Sequence, residues 1–325
     1  MRWFGQKAGP RGPRIFFATD IHGSEDCFRK FLNAGPIYDV EFLVLGGDIL
    51  GKLLIPIVSS GNGSYECTYG DETFVDLDRT GLSELKRTIR RFGHYPIVGT
   101  AEELVRLEDP DQRDAAFRRA AVESLEEWVG LTDERLRGSG IRCFVAPGND
   151  DFLDIDATLQ ESEVMEFAED ACFDLDDVHQ VITTGYSNPT PWQTERELPE
   201  PDLRAKLDTM AEKARSPENL VAVIHAPPYN SGLDTAPALD EEFGMKVGAA
   251  GVEMAPVGST AVREFIEEVQ PLLGLHGHVH ESGGATDIGR TLCLNPGSAY
   301  TTGVLMGAIV ELGDGVVNTH QFVNG

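Results

Sequence analysis

His278 and His280 stand one residue apart behind an apolar run, Leu272, Leu273 and Leu275, in the stretch Leu275-His276-Gly277-His278-Val279-His280. Side chains alternate along a strand, so these two imidazoles fall on the same side of a strand or its exit turn and can converge on a metal ion. A histidine pair at a strand end is more often ordinary polar decoration. The metal reading gains weight only if other strand ends contribute ligands of their own.

Four other apolar runs do so. Arg14–Thr19 leads into Asp20-Ile-His22-Gly23, and Glu41–Leu45 into Gly46-Gly47-Asp48. Ile141–Ala146 leads into Pro147-Gly148-Asn149-Asp150, and Leu220–Ile224 into His225-Ala-Pro-Pro-Tyr229. Each donor has a bland explanation by itself: a helix cap for Asp20, a turn for Asp48, an Asx turn for Asn149, a satisfied core histidine for His225. Chance does not readily place four of the chain's eight histidines, with Asp20, Asp48 and Asn149, at the ends of five separate strands. Oxygen and imidazole donors suit Mn, Fe, Zn or Ni, and the lack of cysteine among them argues against a soft thiolate site. Two divalent metal ions are therefore expected. Asp48 is the natural bridge, since the two oxygens of a carboxylate can serve two cations about 3.5–4 Å apart.

The elements that must position these residues are legible in outline. Ser24 followed by Glu25 and Asp26 predicts a helix to about Asn33, with acidic residues suiting its first turn. The order strand, helix, strand with short connections predicts an α/β fold, in which active residues gather at the carboxyl ends of strands. Residues 52–138 change character: an apolar Leu53–Val58, a Gly/Ser/Asn loop with Asp71–Asp78, then helices over about Leu82–Phe92 and Gln112–Val129. This reads as a largely helical insertion capping a single unit of residues 1–325, its arginines (Arg87, Arg90, Arg91, Arg113, Arg118, Arg119) paired on a solvated face. Further helices are predicted at about Leu159–Ala168, Pro199–Arg215 and Thr260–Val269, a strand near His179–Thr184, and a terminal hairpin about Asp314-Gly315.

Charge and cysteine usage bound the partners. With 54 acidic and 27 basic residues the net charge is −27, which repels nucleic-acid phosphates and anionic membranes and suits high ionic strength. A nuclease would need a basic track, so no nucleic-acid partner is expected. Five scattered cysteines, Cys27, Cys67, Cys143, Cys172 and Cys293, point to a reducing cytoplasm rather than a disulfide framework. Met1–Pro13 lacks an apolar leader core and no run of about 18 apolar residues exists, so no membrane association is expected. Gly46-Gly-Asp-Ile-Leu-Gly51-Lys52 mimics a nucleotide-binding P-loop, but Leu53 stands where a magnesium-binding Ser or Thr is needed.

The order Asp-x-His, Gly-Asp, Gly-Asn, His, Gly-His-x-His resembles the calcineurin-like metallophosphoesterases. His225-Ala-Pro-Pro-Tyr229 and Asn295-Pro-Gly-Ser298 look like the archaeal and bacterial phosphoesterase branch related to Icc, and the resemblance spans the chain outside Lys52–Gly138. It implies a four-layer α/β/β/α sandwich. It also implies one metal held by Asp20, His22, Asp48 and His280 and another by Asp48, Asn149, His225 and His278, with manganese favoured. The expected reaction is attack of a metal-bridging hydroxide on a small phosphodiester.

One position departs from the pattern. Many members carry a proton-donating histidine after the motif Asn, whereas this chain has Asp150, and a carboxylate near two dications is a poor acid. Lowering the pKa of water from 15.7 to about 7, at about 1.36 kcal/mol per unit, eases hydroxide formation by roughly 12 kcal/mol. General acid catalysis contributes about 10²–10⁴-fold, or about 3–5 kcal/mol. The site can therefore lose its acid and still turn over, with a preference for good leaving groups. His94 and His276 are alternative donors, each with an ordinary structural reading, and Tyr229 and Asn230 would line the pocket with Asn149 or simply form a turn. Among enzymes, a phosphomonoesterase or a protein phosphatase differs only in substrate access, and a nuclease by its need for a basic track. A metal-binding scaffold without turnover is the alternative of another class, and seven filled ligand positions speak against it.

Overall fold

A computed structural model describes residues 12–240, 242–248 and 251–325. The leader reading of Met1–Pro13 thus lies outside the described residues as far as Arg11.

The apolar runs become the parallel strands of two six-stranded sheets. In the first, Arg14–Ala18, Phe42–Gly46, Arg142–Ala146 and Met165–Phe167 run parallel, and the terminal hairpin Met306–Gly313 and Val316–Asn324 adds two antiparallel strands at one edge. In the second, Gln180–Thr184, Leu220–Ile224, Leu273–Leu275 and Thr291–Asn295 run parallel between antiparallel edges Ala171–Asp174 and Gly284–Ile288.

Strand alternation shows why these runs are apolar at every position. Ile15, Phe17, Phe42 and Val44 pack with Val221, Val223, Leu273 and Leu275 between the sheets. Their neighbours Phe16, Ala18, Leu43 and Leu45 face the other way and pack with Phe28, Phe31 and Leu32 of helix Glu25–Tyr38 and Leu125 and Trp128 of helix Pro110–Leu136. On the far side, Ala222 and Ile224 meet Leu203 and Leu207 of helix Glu200–Ala211 and Val262 and Phe265 of helix Thr260–Val269. Strands covered on both faces need apolar residues on both. The result is the four-layer α/β/β/α sandwich.

Two regions depart from expectation. Residues 52–138 are largely helical as expected, with Arg79–Arg91, Ala101–Val105 and Pro110–Leu136, but they also carry an unexpected four-stranded sheet of Glu72–Leu77, Tyr65–Tyr69, Leu53–Ser59 and His94–Gly99. It buries a small core of Ile57, Cys67, Leu85 and Ile89. The helix expected over Leu159–Ala168 is instead the short helix Ile155–Leu159 followed by strand Met165–Phe167, because that strand extends the first sheet beside Arg142–Ala146. Three of the six insertion arginines form ion pairs among the described residues: Arg90 with Glu127, Arg91 with Asp26, and Arg118 with Asp114, Asp154 and Glu195.

Candidate metal centre

Five loops leave the carboxyl ends of parallel strands and meet between the sheets. Asp20 and His22 follow Arg14–Ala18, Asp48 follows Phe42–Gly46 and Asn149 follows Arg142–Ala146. His225 follows Leu220–Ile224, and His278 and His280 follow Leu273–Leu275. Asp20, His22, Asp48, Asn149 and His225 are each at most 2% exposed. Ionisable groups are almost never buried so completely unless paired or bound to a cation.

The loops approach too closely to tolerate side chains at the motif glycines. A Cβ on Gly148 would lie 2.1 Å from Asp48 Oδ1, and one on Gly277 2.4 Å from Asp20 Oδ2. Four of the site residues themselves take the left-handed backbone that favours glycine: φ is 54° at Asp20, 41° at His22, 51° at Asp48 and 67° at His278. Such conformations cluster where function requires them.

The donor atoms form two triads. Asp20, His22 and His280 have ligand atoms within 4.8 Å of one another, and so do Asp48, His225 and His278. Asp48 turns one oxygen to each triad, with Oδ2 3.7 Å from His22 Nε2 and Oδ1 3.3 Å from His225 Nε2. His22 Nε2 and His280 Nε2 face each other at 3.0 Å, and His280 Nε2 is 3.3 Å from Asp20 Oδ1. A third group of His22, Asp48 and Asp150 overlaps these two.

A cation explains what protein atoms leave unexplained. His225 donates from Nδ1 to the Gly46 carbonyl at 2.9 Å, which fixes the ring, yet its buried Nε2 has no aligned hydrogen-bond partner. The buried Asn149 Oδ1 also has none. An imidazole oriented through one nitrogen with the other left bare is the usual second-sphere arrangement of a metal ligand. The donor set fits divalent metal ions.

Electrostatics agree. Burial opposes ionisation of Asp20 and Asp48, but the hydrogen bond from His280 and the charge of His225 hold Asp20 below the usual carboxylate range, and His225 and His22 do the same for Asp48. Burial depresses His22 to about 3 and, with the charge of His225, His278 to about 4. Against the cost of burial, Asp48 raises His225 to about 10.

Several neighbours outside the expected donor set hold the loops in place. The Asp151 carboxylate is fully buried and accepts from the backbone N–H of Ile49 (3.0 Å), Leu50 (2.8 Å) and Gly148 (2.7 Å), tying the Asp48 loop to the Asn149 loop. Asn295 Nδ2 donates to the Val279 carbonyl at 3.0 Å, and Ser298 Oγ donates to the Asp20 carbonyl at 2.7 Å, so the Asn295-Pro-Gly-Ser298 stretch braces both histidine loops. Tyr300 lays its ring 4.7 Å from that of His22. Lys52 Nζ lies 2.7 Å from Asp150 Oδ2. Partial burial works against the Lys52 ammonium, but the charge of Asp150 outweighs it and keeps the lysine protonated.

Other predicted residues fall outside the cluster. Tyr229 and Asn230 form an exposed turn in which Asp234 accepts from the Asn230 N–H at 2.7 Å. His94 bonds Tyr69 inside the insertion, and His276 donates from Nδ1 to the Ile224 carbonyl in the core.

No family model matches the chain. An uncharacterized protein of Methanocaldococcus jannaschii is 32% identical over 117 residues, 35% of this chain and 46% of that protein, so the chain spans less than half the length of this curated relative. Among solved structures, the protein TT1561 of Thermus thermophilus is 13% identical, covers 97% of this chain and 98% of its own length, and has a TM-score of 0.53. Another solved chain, 16% identical with coverage of 97% and 98%, reaches 0.56. Two facing sheets with helices on both outer faces are the architecture that this chain shares with TT1561 over nearly the full length of both.

Proposed function

We propose that the chain is a metal-dependent phosphoric ester hydrolase acting on a small phosphodiester. The observation that carries this reading is Asp48, whose two oxygens face two separate donor triads. In this reading Asp20, His22, Asp48 and His280 hold one divalent cation and Asp48, Asn149, His225 and His278 the other. The oxygen and imidazole donors suit Mn, Fe, Zn or Ni, and manganese is the ion we favour among them. When bound, the two ions would lower the pKa of water to supply a nucleophile and would neutralise phosphoryl oxygens.

The remaining work falls to side chains at the cluster's more open side. Lys52 and Asp150 are 44% and 24% exposed in their side chains, against 0–3% for His22, Asp48 and His225. Asp150 stands at the position expected of a proton donor but is committed to Lys52, and the ammonium keeps further N–H donors for a departing oxygen. A diester with a good leaving group asks least of this arrangement.

Hydrolysis of an aryl phosphodiester with added Mn²⁺ tests the reading. The wild type is expected to turn over only with metal, and Asp48→Asn and His225→Ala to lose about 10³-fold or more, equivalent to about 4 kcal/mol. A wild type that binds the ion and shows no metal-dependent turnover would identify a scaffold instead.

A further inference from the structure

We propose that Thr194, held by Glu197, is a positioning residue that turns the Asn149 amide so that its oxygen, not its nitrogen, is presented to a divalent cation. The inference rests on the metal-centre reading above and concerns a segment, Ser187–Glu197, that carries none of the expected ligands.

The direction of each hydrogen bond decides which way the amide faces. Glu197 gathers this segment: it accepts from the backbone N–H of Thr190 (2.9 Å) and Thr194 (3.0 Å) and from both threonine hydroxyls, that of Thr194 at 2.7 Å. Burial opposes its ionisation, but these donors outweigh it and hold the carboxyl below its usual range. An ionised carboxylate only accepts, so the Thr194 hydroxyl must spend its single proton on it. Only lone pairs then remain toward Asn149.

Asn149 Nδ2 sits 3.2 Å from Thr194 Oγ1 and 3.2 Å from Asp150 Oδ1. Both amide hydrogens are thus taken up by acceptors, and turning the amide over would set its oxygen against two acceptors. The buried Oδ1 is left with no protein partner. Partners behind a metal ligand orient it, and their loss costs about 10- to 100-fold in metal affinity. Thr194 does for an asparagine what a backbone carbonyl does for a ligating histidine.

Calorimetric titration of Mn²⁺ alone into the full chain, stripped of metal beforehand, tests this. The wild type and Thr194→Ser are expected to bind two ions alike. Thr194→Val, near in shape but without the hydroxyl, should keep one ion at wild-type affinity and bind the other about 10- to 100-fold more weakly. In an Asn149→Asp background the same Thr194→Val change should cause no further loss, because a carboxylate offers oxygen whichever way it turns. Equal affinities for Thr194→Val and wild type would overturn the proposal, as would an undiminished loss in the Asn149→Asp background, which would show mere disturbance of the loop. A wild type that binds no Mn²⁺ would bring down the metal-centre reading itself and this inference with it.

Discussion

Lys52 is one of seven lysines in a chain with 54 acidic residues, and it places its ammonium against Asp150 beside the donor cluster. If that charge assists the leaving group, Lys52→Met should lower kcat/KM by about 10²-fold on an alkyl diester and much less on a nitrophenyl diester, whose leaving oxygen needs little help. Equal losses on both substrates would rule out the role. Asp20, His22, Asp48, Asn149, His225, His278 and His280 were legible because each ends a short apolar run, and a strand end fixes where a side chain goes. Lys52, Asp151, Thr194 and Tyr300 lack such a marker, since their partners lie on other segments; the Asn149–Thr194 contact spans 45 residues. The scarcity of lysine was the one available hint for Lys52. Asp150 was conspicuous as a departure from a motif, yet its ion pair could be seen only in the fold.

The helix Pro110–Leu136 belongs to the outer layer as much as to the insertion. Trp128 is 5% exposed and stacks on Phe28 of helix Glu25–Tyr38 with ring centroids 4.2 Å apart. Trp128→Ala should therefore destabilise the chain by about 3–5 kcal/mol in urea unfolding, whereas a free-standing cap would unfold separately and leave the main transition unchanged. The central strands and most of the helices were readable from apolar spacing, and Thr260–Val269 forms at the residues expected. The insertion sheet was not, because Glu72–Leu77 alternates weakly and is mostly exposed, so its sequence carries little period-two signal. Met165–Phe167 and Ala171–Asp174 are three and four residues long, too short to show a period at all.

A net charge of −27 acts on the whole chain at once. The arginines of residues 52–138 are partly spent on pairs such as Arg90–Glu127 and Arg118–Glu195, and most of the acidic excess is left to repel itself. Raising salt from about 0.1 to 1 M shortens the screening length from about 10 to 3 Å, so the melting temperature should climb with KCl. A melting temperature that stayed flat or fell would mean that exposed ion pairs contribute more than the repulsion costs. Among the described residues no helix is long and apolar enough to cross a membrane.

The left-handed backbone at Asp20, His22, Asp48 and His278 sets durability against chemistry. Each such residue holds on the order of 1 kcal/mol or more of conformational energy that a glycine would not. Variants selected for heat tolerance alone would gather glycine at these four sites, and the hardiest survivors would be the ones least able to keep a cation.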